Sequence, residues 1–138
     1  VATFAGSDQL AAFADGLDIV VSVLPLTPET TGIMNAGFFG MLADGAFIIN
    51  GGRGPQVDDD DLLAALGSGK LGGAALDVFA VEPLPQDHPF WTHPKVRVWP
   101  HVAAQTNATS AAEQVAAAIT AMMDGSEPAN RVDWSRGY

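Results

Sequence analysis

No cysteine occurs among the 138 residues, which excludes disulfides and thiolate chemistry and fits a cytosolic protein. Cations are scarce as well. Six Lys and Arg stand against 16 Asp and Glu, a formal net charge of −10 that argues against a nucleic-acid partner. No apolar run approaches the roughly 20 residues that span a bilayer, and no basic segment followed by an apolar stretch suggests export. A Walker-type loop is missing, and no Gly-x-Gly-x-x-Gly follows a strand-like segment, so composition and glycine pattern alone disclose no dinucleotide site.

What is present is enough apolar material for one globular domain, since 48% of residues are hydrophobic. Ser7 suits the cap of a short helix to Ala14 with Gly16 as its stop, and Asp18 to Leu24 reads as a buried strand closed by Pro25 and Pro28. Asn35 suits the cap of a helix through Leu42, and a strand follows over Ala46 to Asn50. Asp58 to Leu66 has a helical apolar face and a glycine stop at Gly67-Ser68-Gly69. Its acidic start complements the helix dipole, and consecutive helical positions point in different directions, which disfavours a metal site there. Gly73 to Leu76 and Val96 to Trp99 read as two more strands, and Asn107 to Met123 as an alanine-rich helix closed by Gly125. The proline-rich stretch from Glu82 to Pro94 reads as an ordered loop with at most one helical turn. Strands alternating with helices indicate an α/β fold with a parallel sheet.

Three strand-like runs end on chemistry-bearing residues: Ile48 to Arg53, Leu76 to Glu82 and Val98 to His101. Ligands bind α/β sheets at the carboxyl ends of strands. Gly52-Arg53-Gly54 can bring a guanidinium to a carboxylate, the glycines clearing space around it; a surface ion pair is the alternative. His101 can supply a proton near neutral pH or merely close a strand end. Glu82 can orient that imidazole or sit in solvent as a loop acid. Asp77 can accept from a cofactor amide or cap a turn. His88 and His93 flank Phe90-Trp91 in spacings that match no zinc pattern, which makes them surface loop residues and leaves no metal site.

Taken together, Leu24-Pro25-Leu26-Thr27-Pro28-Glu29-Thr30, the run Gly45 to Gly54, the run Leu71 to Pro85 and Pro100-His101 resemble the D-isomer-specific 2-hydroxyacid dehydrogenases in order and spacing over nearly the whole chain. His101-Val102-Ala103-Ala104-x-Thr106 and Arg136-Gly137-Tyr138 are most similar to the glyoxylate/hydroxypyruvate reductase A branch of that family. The resemblance implies Arg53, Glu82 and His101 as catalytic residues. Arg53 would bind the substrate carboxylate, and His101 would be the proton donor with Glu82 as its partner. It implies a cofactor site bordered by Leu24, Pro25 and Thr30 on the adenosine side. Gly51, Gly52, Arg53, Asp77, His101, Ala103 and Ala104 would stand around the nicotinamide. Ala103 and Ala104 stand where many relatives carry glycine, and both are small. Formate dehydrogenases of the superfamily pair the histidine with Gln, so Glu82 speaks against that reading.

The implied cofactor is NAD(P)H, with NADPH favoured by the branch, and the implied partner is a small 2-oxo acid in the cytoplasm, without membrane or nucleic acid. The fold expected is an incomplete parallel-sheet Rossmann-type nucleotide-binding domain. Residues 1–104 would be its C-terminal portion, and 105–138 a helix and tail returning toward the substrate domain. The family's glycine-rich phosphate loop and substrate domain are not in this sequence. Within the Rossmann order 3-2-1-4-5-6 the Asp18–Leu24 strand corresponds to the third and Ala46–Asn50 to the fourth, so two strands between them are missing. Association with a second polypeptide or another copy is then expected first, and direct pairing in a rearranged sheet is the further option. A non-catalytic nucleotide-sensing or oligomerising module of the same fold is the alternative to an enzyme.

Overall fold

The computed structural model describes residues 1–134. Four parallel strands, β1 (Ile19–Ser22), β2 (Ala46–Asn50), β3 (Leu71–Leu76) and β4 (Val96–Val98), lie side by side in chain order. Parallel neighbours need crossover connections. Helix α2 (Ala36–Met41) links β1 to β2, α3 (Asp59–Ser68) links β2 to β3, and the proline-rich loop links β3 to β4 with one 3-10 turn at Pro89–Trp91. Before β1 lie a 3-10 turn, Ser7–Gln9, and helix α1 (Leu10–Ala14). Ser7 makes no cap there; Gly6 holds that position without a side-chain bond.

The helices start where short polar side chains meet free N–H groups. The Asn35 side chain accepts from Phe38 N at α2, and Asp58 accepts from Asp61 N at α3. Helix α3 runs through Gly67 and ends at Gly69, whose φ of 85° needs a residue without a Cβ. One sheet face packs Val20, Ile48 and Ala74 against Phe38, Phe39, Leu62 and Leu66 in the core.

The strand order corrects the expectation from the sequence. β1 pairs directly with β2, Ile19 to Phe47 through Ser22 to Asn50, so no strand position lies between them. Asp18–Leu24 therefore holds the place beside Ala46–Asn50 rather than the third place of the order. The register keeps the two faces matched. Inward Val20 and Ser22 align with inward Ile48 and Asn50, while apolar Ile19 and Val21 align with Phe47 and Ile49 on the opposite face. Strands apolar on both faces belong inside a parallel sheet.

On that opposite face the β1 and β2 side chains are exposed. Ile19 and Val21 are each 59% exposed and Phe47 is 50% exposed, a cluster that a two-sided α/β sheet would cover. The Phe47 ring lies against Gly72 and Gly73, where a Cβ would come within 2.9 and 2.6 Å of it.

The chain divides into two compact units, Val1–Ala103 and a second from Ala104 onward. The second holds α4 (Ala108–Met123), capped by Asn107 through Thr109 N and Ser110 N. Arg136-Gly137-Tyr138 lies outside the described residues. Among the described residues no helix is long and apolar enough to cross a membrane.

Candidate active site

The ends of β2, β3 and β4 bring the arginine, glutamate and histidine motifs together. His101 Nδ1 lies 2.8 Å from Glu82 Oε2, and the other carboxylate oxygen accepts from Phe79 N at 2.9 Å. The His101 hydrogen bond, then the Phe79 amide and the nearby charges of His101 and Arg53, hold the Glu82 carboxyl below its ordinary pKa. An ionised carboxylate can only accept, so Nδ1 carries the proton of this contact and Nε2 is the nitrogen left for a ligand.

Backbone packing sets the Arg53 turn beside the loop that carries Glu82. A Cβ on Gly54 would overlap the Phe79–Ala80 peptide, so the arginine turn and the loop carrying Glu82 touch backbone to backbone. The glycine clears space for another chain segment rather than for a ligand. Arg53 is exposed, and its guanidinium donates to Gly52 O at 2.7 Å.

His101 has a φ of 55°, a conformation uncommon outside glycine. Asp77, buried at the end of β3, holds it there. Its two carboxylate oxygens accept from Val102 N and Ala103 N, each at 2.8 Å. Asp77 thus spends one oxygen on each amide after His101, a use the sequence did not disclose. Ala103 also neighbours Gly51, whose added Cβ would sit 3.8 Å from the Ala103 Cβ. Gly51 is half-buried, whereas Gly52 is buried behind Gln56. Ala104 is exposed and begins the second unit.

Leu24, Pro25 and Thr30 form a separate edge after β1. Thr30 Oγ1 donates to Pro25 O at 2.8 Å, which closes this turn on itself. The edge is joined to the arginine turn through Gln56, a residue the sequence reading passed over. Its signal was the Gln three residues after Arg53, with Pro55 between, the spacing at which a side chain reaches back to cap a helical start. Asn50, the last residue of β2 and part of the arginine motif, accepts from Gly52 N at 3.0 Å and donates to Arg53 O at 3.1 Å.

His88 and His93 are not free surface residues. His88 Nδ1 accepts from Phe90 N, its Nε2 lies 3.5 Å from Asp59, and His93 Nδ1 accepts from Lys95 N. Burial raises the Asp59 pKa, opposed by the charge of His88. Among the described residues no three His, Cys, Asp or Glu side chains could hold a metal ion.

A parallel α/β sheet that carries a carboxylate-oriented histidine and an arginine at its strand ends sets these groups where such sheets bind ligands. Residues 2–103 match the model of the D-isomer specific 2-hydroxyacid dehydrogenase NAD binding domain, and the chain belongs to that family. It is 51% identical over its full length to glyoxylate/hydroxypyruvate reductase A of Serratia proteamaculans and 49% identical to that of Yersinia enterocolitica. It spans 44% of the length of each of these relatives. A D-isomer specific 2-hydroxyacid dehydrogenase from Xanthobacter autotrophicus, solved with NADPH and MES, superposes with a TM-score of 0.94 at 47% identity. The match covers 98% of this chain and 56% of that one. The NADPH-dependent glyoxylate/hydroxypyruvate reductase of Sinorhizobium meliloti, solved with NADP and sulfate, gives 0.90 at 40% identity over 96% of this chain and 43% of that one. Superposition this close over nearly the whole chain gives no sign that the β1–β2 pairing is a rearrangement.

Proposed function

We propose that this chain is part of an NAD(P)H-dependent reductase of small 2-oxo acids, with glyoxylate and hydroxypyruvate as substrates. The observation that carries the reading is the Glu82–His101 contact at the strand ends. Arg53 receives the substrate carboxylate, since its planar fork matches two carboxylate oxygens and keeps its charge at any working pH. His101, with Nδ1 held by Glu82, presents Nε2 to the carbonyl oxygen and donates the proton that the developing alkoxide needs.

The strand ends fit a nicotinamide cofactor. Gly51 and Ala103 leave a low wall there, and each Asp77 oxygen keeps a lone pair beyond its amide contact. Gly51, Asp77, Ala103 and Ala104 would border the nicotinamide, Gly52 would shape that wall from behind, and Leu24, Pro25 and Thr30 would border the adenosine. When bound, NAD(P)H supplies the hydride. The relatives solved with NADPH and NADP support the phosphorylated form as the preferred one.

Initial rates of NADPH and NADH oxidation by the native polypeptide that carries these residues test the reading. Turnover with glyoxylate and hydroxypyruvate is expected, faster with NADPH. Cofactor binding without turnover of any short 2-oxo acid would favour a non-catalytic module.

A further inference from the structure

Gln56 is fully buried, and its side chain makes four hydrogen bonds. Oε1 accepts from Ser22 Oγ at 3.2 Å and from Arg53 N at 3.1 Å. Nε2 donates to Leu24 O and to Pro25 O, both at 3.0 Å. One amide therefore ties the last residue of β1, the chain that follows it and the arginine turn after β2.

The surroundings leave little slack. A Cβ on Gly52 would fall 2.5 Å from Gln56 Oε1 and 3.0 Å from Leu24 O, so glycine is needed for the turn to close over the amide. The Gln56 backbone is also pinned, its carbonyl accepting from Met34 N at 2.9 Å. Pro25 O receives a second bond from Thr30 Oγ1, so the linkage extends along the Leu24–Thr30 edge.

We propose that Gln56 is a positioning residue that fixes the Arg53 turn against the Leu24–Pro25 edge, so that the anion-binding and cofactor-binding sides of the site hold one geometry. The proposal rests on the reductase reading for its kinetic consequences, while the linkage itself is independent of it. A carboxamide is the group that serves here, since it presents two acceptor positions toward Ser22 and Arg53 and two donors toward the carbonyls. Glutamate would keep the acceptors and lose the donors. An unbranched apolar chain would lose both.

Two variants of the native polypeptide separate these roles. Gln56→Met should raise both the NADPH dissociation constant and the KM of the 2-oxo acid, each by about tenfold, the effect of leaving a buried polar group unpaired. Gln56→Glu should weaken NADPH by a similar factor while moving the 2-oxo acid KM little, because Arg53 N keeps its acceptor. Its cofactor affinity should recover on acidification, when the protonated carboxyl can again donate to a carbonyl; wild type should show no such recovery. Lowered melting temperatures with wild-type dissociation constant and KM in both variants would overturn the proposal.

Amide hydrogen exchange keeps the linkage testable if the wild type shows no reductase activity at all. In Gln56→Met the Arg53 amide should exchange about tenfold faster or more, while the Gly52 amide, held by Asn50, keeps its protection. Unchanged Arg53 exchange would sink the linkage, whereas absent wild-type turnover would sink only the reductase reading.

Discussion

Asp77 holds Val102 through a 2.8 Å bond from the Val102 amide to Oδ1, and Oδ2 takes the next amide, that of Ala103, at the same distance. The residue just before this clamp is His101, in a left-handed backbone conformation. The clamp and the Glu82 contact fix the imidazole from two directions, one through backbone and one through Nδ1. An imidazole held in this way would need little reorganisation to serve as the proposed proton donor.

Asp77→Asn tests the clamp. The new NH2 faces a backbone N–H, so one buried donor is left unsatisfied and stability should fall by about 1–3 kcal/mol. Turnover should fall further than stability explains, because His101 loses its placement. Denaturant unfolding alongside kcat measures both. Wild-type kcat in a measurably destabilised Asp77→Asn protein would remove the clamp from the account.

Arg53→Lys keeps the charge and loses the planar fork. The KM of a 2-oxo acid should rise about tenfold or more, with a smaller change in cofactor affinity. Steady-state kinetics with glyoxylate reads this, and an unchanged KM would mean that the substrate carboxylate sits elsewhere.

Acid should undo the Glu82 contact in a defined direction. The folded pKa of Glu82 is lowered, first by the His101 hydrogen bond, so its contribution to stability is present above the unfolded pKa and is lost as pH falls through the folded one. The side chain is 36% exposed, which keeps the contribution small. Melting curves of wild type and Glu82→Gln should therefore differ near neutrality and converge in acid. A constant difference across that range would contradict the assignment.

The exposed apolar side chains of β1 and β2 predict how the 138-residue chain behaves when isolated. Ile19, Val21, Phe47 and Ile49 form an exposed apolar patch beside the free edge of β1, and such surfaces associate. Light scattering should give a mass above that of a monomer, reduced by Val21→Lys. A monodisperse monomer at high concentration would count against this.

Much of this was legible in the sequence because it is local. Asn35 and Asn107 cap helices through N–H groups two or three residues away, and β2 matches the Ala46–Asn50 strand to the residue. The Arg53, Glu82 and His101 motifs were readable because each closes a strand-like run. The neighbour of β1 was not readable in this way, since parallel pairing joins segments far apart in sequence and alternation of side chains fixes the face but not the partner. Gln56 escaped for the same reason. A lone glutamine in a turn carries no sign that Ser22, Leu24 and Pro25 fold back onto it. His88 reads as a loop residue until the fold brings Asp59 to within 3.5 Å.

In the proposed reaction His101, oriented by Glu82, gives its proton to the substrate oxygen. The most direct test is kcat for NADPH-dependent glyoxylate reduction by the native polypeptide and its His101→Ala variant, measured across neutral pH beside the cofactor dissociation constant. His101→Ala should lower kcat by about a hundredfold or more with cofactor affinity nearly unchanged. Near-wild-type turnover in His101→Ala at every pH would contradict it.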